Sequence, residues 1–137
     1  MGCMEIVGIG TDIIECVRIG QLIERHGEIF LTRVFTEREI SYCQARRNAT
    51  EHFAGRFAAK EAVLKCLGSG MANGLCWTDI EVRNEPSGKP SIVIHGATRE
   101  LTDRLRIDEI LISISHCRAY ATAYATAIGD KAAEADA

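Results

Sequence analysis

Residues 53–68 of the chain, FAGRFAAKEAVLKCLG, set four charged side chains among apolar ones in a segment typical of a buried helix. We expect this helix to run from about Thr50 to Leu67 and to end at Gly68, because glycine is common just past a helix C-terminus. A helix turns by about 100° per residue, so its side chains sort onto faces. One face is an apolar stripe made of Phe53, Phe57 and Leu64.

Charged side chains flank the stripe, with Arg56 and Lys60 on one side and Glu61 and Lys65 on the other, next to Ala54 and Ala58. The commoner meaning of the Glu61–Lys65 spacing is an ion pair on a solvated face, which contributes about 0.2–0.5 kcal/mol. The alternative is that the small alanines let a ligand approach the Glu61 carboxylate. The helix alone favours the ion pair.

The strand predicted at residues 5–14, EIVGIGTDII, changes that balance. Alternate side chains of a strand point to opposite faces, so Gly8, Gly10 and Asp12 share one face. The other face carries Val7, Ile9, Thr11 and Ile13. Glycines within a strand indicate close approach by a ligand or by another backbone, and in the second case Asp12 would only cap the next helix. The pattern fits neither a dinucleotide-binding G-x-G-x-x-G motif nor a P-loop.

His116 follows a predicted strand of alternating isoleucines, close to Ser115 and Arg118. Alone, a histidine at a strand end is more often structural or simply exposed. Its partners would be the helix cations Arg56, Lys60 and Lys65. Such a group could hold phosphate oxygens, while Asp12 and Glu61 supply hard oxygen ligands for a magnesium ion that keeps substrate phosphates in its coordination shell. This set of residues predicts phosphoryl chemistry.

The other segments predict an α+β chain in which an antiparallel sheet packs with helices. Further helices are expected at about residues 15–26, at about 37–46 after the N-cap candidate Thr36, and at 97–106. Strands are expected at residues 76–85, 89–95, 109–115 and 119–128. The turn-rich segment PSGKP joins the first two of these strands and predicts a hairpin.

One domain is expected over residues 1–128, with a flexible, alanine-rich tail at 129–137. The chain has 137 residues, of which 47% are hydrophobic, and a net charge of -3, which disfavours binding to nucleic acid.

No apolar run approaches the roughly 20 residues of a membrane helix, and the N-terminus lacks a signal-peptide pattern, so we expect no membrane partner and a cytoplasmic protein. The six cysteines contain no C-x-x-C pair and are expected to be reduced and mostly buried.

Four segments together resemble holo-acyl-carrier-protein synthases, the small bacterial type of 4'-phosphopantetheinyl transferase. The segments are GIGTDIIECVRI at 8–19, FAGRFAAKEAVLKCLG at 53–68, GKPSIVIHG at 88–96 and ISISHCRAYATAYA at 112–125. They occur in the family's order and cover most of residues 4–128, and the first two are highly specific. A slight departure is Cys66, where the family usually has a small residue such as alanine. The resemblance implies the 4'-phosphopantetheinyl transferase fold.

The resemblance implies transfer of the 4'-phosphopantetheine arm of coenzyme A to a serine hydroxyl of an acyl carrier protein, with release of adenosine 3',5'-bisphosphate, in fatty acid or polyketide biosynthesis. The implied catalytic residues are Asp12, Glu61 and Lys65, the implied magnesium ligands Asp12 and Glu61, and the implied coenzyme-binding residues Arg56, Lys65 and His116. Lys65 would contact the pyrophosphate. Lys60 lies beside the apolar stripe and is expected either to be structural or to support the residues that touch the ligand. The spacing leaves the acceptor of the serine proton open between a metal-bound water and Glu61.

The helix after the first strand offers a possible docking face. Arg18, Leu22 and Arg25 are spaced i, i+4, i+7, and an apolar centre between cations suits an acidic amphipathic helix. The alternative is an ordinary solvated face. Acyl carrier proteins are acidic, so the resemblance supplies the partner.

The resemblance also implies a homotrimer with sites between neighbouring chains. Asp12, Glu61 and Lys65 would come from one chain and His116 from its neighbour. The alternate alanines of the last strand fit close packing near that junction. A competing interpretation is a non-catalytic module that binds coenzyme A or a carrier protein, but such a module would need the basic residues and not both carboxylates.

Overall fold

A single long helix lies across one face of an antiparallel sheet. The structure, a computed structural model, describes residues 3–68 and 74–130. The elements in chain order are β1 (Glu5–Glu15), α1 (Cys16–His26), α2 (Glu28–Val34), α3 (Glu37–Gln44), α4 (Ala49–Leu67), β2 (Ile80–Asn84), β3 (Pro90–Ile94), α5 (Gly96–Arg104), β4 (Ile107–His116) and β5 (Tyr120–Gly129). The predicted α+β class is confirmed.

The strands form a three-stranded antiparallel sheet in the order β1-β5-β4 and a separate antiparallel hairpin of β2 and β3. Gly129 closes β5, so this strand passes the predicted domain end at residue 128 by one residue. The predicted tail beyond residue 130 lies outside the described residues. In the described ranges, no helix is long and apolar enough to cross a bilayer.

Helix α4 is buried on nearly all sides, as expected of a helix at the centre of a fold. The side predicted to admit a ligand is instead covered by this chain, because Ala54 and Ala58 are fully buried. The alanine row of β5 packs against α4 from the same chain and is at most 3% exposed; it consists of Ala121, Ala123, Ala125 and Ala127. This corrects the expectation that the alanine face serves a junction between chains.

The glycines of β1 allow strand and helix backbones to meet. A Cβ atom added at Gly8 would overlap the carbonyl oxygen of Cys66, and one added at Gly10 would overlap the carbonyl oxygen of Ala62. The thiol of Cys66 donates a hydrogen bond of 3.1 Å to the carbonyl of Gly8 across the same contact. Of the two expectations for these glycines, close approach by another backbone is therefore the one observed.

The opposite face of the three-stranded sheet carries large apolar side chains that stay 41–65% exposed. They are Ile9, Ile13, Leu111, Tyr120 and Tyr124, which we call the open sheet face. The alternation predicted for β1 fails at Val7, because a bulge between Ile6 and Gly8 lets Val7 pack against the core.

Two sequence expectations differ locally from the structure. Strand β2 begins at Ile80 and not at residue 76, because Trp77–Asp79 form a 3-10 turn in which the Asp79 carboxylate accepts hydrogen bonds from the backbone N–H and the hydroxyl of Thr98. All six cysteines are free thiols, but half of them rather than most are buried: Cys16, Cys43 and Cys66. Burial raises the pKa of Cys43 to about 12.

Candidate active site

The approach of β1 to α4 positions Asp12 beside the helix. Gly8 contacts α4 near Cys66, and Gly10 contacts it near Ala62. The rise of two residues along the strand, about 6.6 Å, is close to the rise of four residues along the helix, about 6 Å. One further step along β1 brings Asp12 to the turn of α4 that precedes Ala62. The side chain of Asp12 is 16% exposed and does not cap α1, whose N-cap residue is Glu15.

Lys65 reaches back along α4 to Asp12, as helical side chains lean toward the N-terminus. Its Nζ lies 3.1 Å from Oδ1 of Asp12 and 3.0 Å from the backbone oxygen of Thr11. The Lys65 side chain is 54% exposed, so the pair adds little to stability and the ammonium stays available to a ligand. Lys65 thus pairs with Asp12 rather than forming the helical Glu61–Lys65 bridge that the spacing alone favours.

Glu61 lies between a second carboxylate and a cation. Burial and the negative charge of Asp12 raise the pKa of Glu61, and the charge of Lys65 opposes the rise. Two carboxylates that repel each other at a half-buried position favour a bound cation, because a cation relieves the repulsion. The predicted trio of Asp12, Glu61 and Lys65 is therefore brought together.

The donor set of this trio fits magnesium rather than a metal held entirely by protein. Within the described residues, no group of three or more His, Cys, Asp or Glu side chains could enclose a metal ion. Magnesium is usually held by one or two carboxylates together with substrate phosphates and water. The pair of Asp12 and Glu61 matches that pattern.

A second cluster brings together the other two predicted site residues. Arg56 and His116 line a cleft of about 170 Å³ with Tyr42, His52 and Asn84. Gly55 gives the cleft its depth, because a Cβ atom there would lie 3.1 Å from Cγ2 of Ile114 and 3.7 Å from Cδ2 of His116. Arg118 lies elsewhere, in a groove between α1 and the start of α4.

The guanidinium of Arg56 is buried but incompletely paired. It stacks 3.8 Å above the ring of Tyr42, and its Nη2 donates to the side-chain oxygen of Asn84. The Nε atom is buried without a hydrogen-bond partner among the described residues. A buried cationic donor left unpaired is costly, so the arrangement favours an anion in this cleft.

The trio and the second cleft lie on different sides of α4. Arg56 and Glu61 are five residues apart, which corresponds to about 7.5 Å along the helix and about 140° around it. One chain therefore presents a carboxylate pair with a lysine on one side of α4 and an arginine with a histidine on another.

Lys60 lies between the clusters and cannot reach a phosphate. It is fully buried, with Nζ 2.8 Å from Oε1 of Glu39 and bonded to the backbone oxygens of Trp77 and Ile80. Burial lowers the pKa of Lys60, while the charge and hydrogen bond of Glu39 oppose the shift. Its structural role is as expected, and its inclusion among the phosphate-binding cations is corrected.

The docking face predicted on α1 is partly exposed. Arg18 and Arg25 are exposed, whereas Leu22 is half-buried and packs against the core around Ile19. The exposed apolar side chain on this helix is Val17, at 59%.

Sequence reasoning missed three residues of the second cleft: Tyr42, His52 and Asn84. His52 could have been found, because it lies one helical turn before Arg56 on the same face of α4. Tyr42 and Asn84 reach the cleft from α3 and β2, and no local pattern connects those segments to α4.

Comparisons with known proteins identify the family of the chain. A family model described as the 4'-phosphopantetheinyl transferase superfamily matches residues 8–125. The holo-acyl-carrier-protein synthase of Koribacter versatilis is 48% identical over 118 residues, which make up 86% of this chain and 94% of that protein.

Solved structures match the fold over similar lengths. The holo-acyl-carrier-protein synthase of Neisseria meningitidis gives a TM-score of 0.83 at 29% identity and covers 90% of this chain and 98% of that one. The Helicobacter pylori enzyme in complex with coenzyme A gives 0.77 at 32% identity, with 87% and 98% covered. Since sequence and fold agree along most of its length, the chain belongs to the holo-acyl-carrier-protein synthases of the 4'-phosphopantetheinyl transferase superfamily.

Proposed function

We propose that the chain is a magnesium-dependent holo-acyl-carrier-protein synthase. It transfers the 4'-phosphopantetheine arm of coenzyme A to a serine hydroxyl of an apo acyl carrier protein and releases adenosine 3',5'-bisphosphate, in fatty acid or polyketide biosynthesis. The observation that carries the proposal is the convergence of Asp12, Glu61 and Lys65 beside the β1–α4 contact. Family membership supplies the reaction.

The trio binds the reacting pyrophosphate. Asp12 and Glu61 would hold the magnesium ion, which when bound neutralises charge on the pyrophosphate and favours departure of the leaving phosphate. Lys65 exchanges its contact with Asp12 for a phosphate oxygen, a short movement for a half-exposed side chain. The ammonium then stabilises negative charge that develops as the phosphoryl group moves.

The second cleft binds the 3'-phosphate of coenzyme A. Arg56 offers its guanidinium charge and His116 a ring N–H, and both line the same cleft. The related Helicobacter pylori structure is a complex with coenzyme A, which makes this ligand the natural occupant.

The acyl carrier protein docks on α1. Arg18 and Arg25 are exposed cations that suit an acidic helix, and the half-buried Leu22 contributes only its outer edge. Charge attraction of this kind speeds encounter and sets orientation more than it adds affinity.

The active form is a homotrimer in which two chains complete each site. The open sheet face supports this arrangement, because a contiguous set of exposed Ile, Leu and Tyr side chains marks an interaction surface. The separation of the two clusters around α4 also supports it, since a single chain does not bring them to one point. Arg56 lies beside His116, so both would come from the neighbour of the chain that supplies Asp12, Glu61 and Lys65.

The six free thiols suit a cytoplasmic location.

The deciding experiment incubates an apo carrier protein with coenzyme A, magnesium and this protein, followed by mass spectrometry of the carrier. We expect the mass of one phosphopantetheine arm to be added, and no addition in the presence of a chelator. A non-catalytic binding module would bind coenzyme A in calorimetry, with or without magnesium, and leave the carrier mass unchanged. That result would overturn the transferase assignment.

A further inference from the structure

Glu51 holds the imidazole of His116 from the first turn of α4. Its Oε1 lies 3.1 Å from Nδ1 of His116, and the two side chains are 20% and 25% exposed. Nothing in the predicted site includes Glu51, which lies 65 residues away in sequence from its partner.

The contact fixes which ring nitrogen of His116 donates. The hydrogen bond to His116 is the main cause that lowers the pKa of Glu51, and a hydrogen bond with Asn48 and the charges of His116 and His52 add to it. Glu51 is therefore ionised at neutral pH, and a carboxylate only accepts hydrogen bonds. Nδ1 of His116 must carry a proton, which leaves Nε2 as the ring's remaining polar atom.

Neighbouring groups restrict the ring further. The ring of His52 packs edge-on against it with centroids 4.8 Å apart, and a Cβ atom added at Gly55 would lie 3.7 Å from Cδ2 of His116. Burial lowers the pKa of His52, and the charges of His116, Arg46 and Arg56 lower it further. The groups that surround His116 are thus the carboxylate of Glu51, the imidazole of His52, the guanidinium of Arg56 and, behind them, Arg46 on Tyr42.

We infer, on the basis of the proposed function, that Glu51 is a positioning residue for the 3'-phosphate of coenzyme A: it fixes the ring of His116 by accepting from Nδ1, so that the imidazolium donates its Nε2–H to the phosphate. Glu51 acts through His116 and does not touch the coenzyme itself. Its effect should therefore depend on the presence of the 3'-phosphate.

The test compares coenzyme A with 3'-dephospho-coenzyme A as donor for the parent and for Glu51→Gln, Glu51→Ala and His116→Ala. We expect Glu51→Ala and His116→Ala to raise the KM for coenzyme A roughly tenfold, as expected when a hydrogen bond to a charged group is lost. Glu51→Gln, whose amide oxygen still accepts from Nδ1, should keep most of the parent's preference for coenzyme A. In the Glu51 variants, the KM for the dephospho donor and kcat should stay within about twofold, and the Glu51→Ala, His116→Ala double variant should be no worse than His116→Ala alone. In nitrogen-15 NMR spectra of the parent bound to coenzyme A, both ring nitrogens of His116 should carry protons, and in Glu51→Ala the Nδ1 proton should be lost.

Glu37→Gln is the matched control, because Glu37 is an exposed first-turn glutamate of α3. It should leave both donors unaffected. If Glu51→Ala retained the parent's preference for coenzyme A while His116→Ala lost it, Glu51 would have no positioning role and the proposed function would stand. Equal losses with both donors in Glu51→Ala would assign Glu51 to stability and overturn the inference. A parent that transfers no arm from either donor would overturn the proposed function and this inference with it.

Discussion

The proposed metal-binding role of Glu61 comes with a cost to the folded state. Its carboxylate is half-buried and lies near the carboxylate of Asp12, and both effects raise its pKa. A side chain chosen for stability at this position would carry no charge. The loss of stability is what the proposed role predicts, because a bound cation would relieve the repulsion.

Removal of either carboxylate should abolish most transfer. Asp12→Asn and Glu61→Gln each keep the volume of the side chain and remove its charge, so we expect kcat to fall by roughly 100-fold or more. Phosphopantetheinylation of the carrier measures the loss, and circular dichroism verifies the fold. Glu100→Gln on α5, an exposed position, is the control and should retain full activity. A folded variant with near-normal turnover would contradict the proposed metal ligands.

Glu61→Gln should also stabilise the protein at neutral pH. The folded state raises the pKa of Glu61 above its usual 4.5, so ionised Glu61 opposes folding and the free energy of unfolding falls as the pH rises through the folded-state pKa. Glutamine is neutral throughout. Urea unfolding should therefore show a gain of less than about 1 kcal/mol at pH 7, since the group is partly exposed, and no gain below about pH 4. A variant less stable than the parent at pH 7 would contradict this account.

The chemistry-bearing residues of the trio were predictable because each lies on a regular element. Strand alternation put Asp12 on the face of Gly10, and helix periodicity put Glu61 near Lys65. The partner of Lys65 was not predictable, because the 3.1 Å contact with Asp12 depends on how deeply β1 enters the groove of α4.

At the scale of elements, the contact between β1 and α4 sets the geometry of the trio. The missing side chains of Gly8 and Gly10 let the strand lie directly against helical carbonyl groups. Any side chain there would push the strand outward and move Asp12 away from Glu61 and Lys65.

Gly10→Ala should therefore destabilise the protein by at least about 2 kcal/mol, because backbone atoms of α4 cannot yield as a flexible side chain would. Activity should fall more than stability alone explains, since Asp12 moves with the strand. Gly20→Ala in α1 is the matched control: its added Cβ atom would lie 3.5 Å from Cγ2 of Thr50, an ordinary contact. Alanine should stabilise that helix by about 0.5–1 kcal/mol. Denaturant unfolding of both variants measures the contrast, and equal effects would contradict it.

Helix α1 should act on the carrier protein alone. Arg18→Glu and Arg25→Glu should raise the KM for the carrier roughly tenfold with little change for coenzyme A, and the effect should weaken as salt screens the contact. Arg38→Glu on α3, another exposed arginine, is the control. Equal increases for both substrates would count against α1 as the docking face.

Helix α2 was not predicted from the sequence, because no pattern in its residues marks it as a separate helix. Helix α2 has only seven residues and follows Gly27, which ends α1 with a φ of 55° and a hydrogen bond from its N–H to the oxygen of Ile23. Gly27 marks the end of α1, but α2 has no side chain that caps its N-terminus and is too short to show a helical period. The longer elements were predicted to within a few residues, because α4 and the strands β1, β4 and β5 keep their patterns over ten residues or more.

At the scale of the whole molecule, the sheet has one face covered and one face open. Helix α4 covers the alanine row of β5, while the open sheet face carries isoleucine, leucine and tyrosine. Sequence alone assigned the alanines to an interface between chains, because alternation shows that two faces differ but not which of them the helix covers.

Two impaired chains should rescue each other if sites are shared. Glu61→Ala disables one half of a site and His116→Ala weakens the other, so mixed cyclic trimers contain about a quarter of interfaces with both halves intact. With coenzyme A held well below its KM, chains refolded together should therefore regain a measurable part of parent activity, while each variant refolded alone stays poorly active. Native mass spectrometry establishes that mixed trimers are present. No rescue in such mixtures would place both residues in the site of one chain.

The continuity of α4 also constrains how the gene can change. Arg56, Lys60, Glu61 and Lys65 all project from this one unbroken helix, so their relative directions are set by the helical repeat and not by adjustable loops. A single inserted or deleted codon between Arg56 and Glu61 would turn one cluster by about 100° relative to the other and would also withdraw Lys60 from Glu39. Insertions and deletions in functional descendants of this gene should therefore fall in the connections between elements. The number of residues between Arg56 and Lys65 should stay constant.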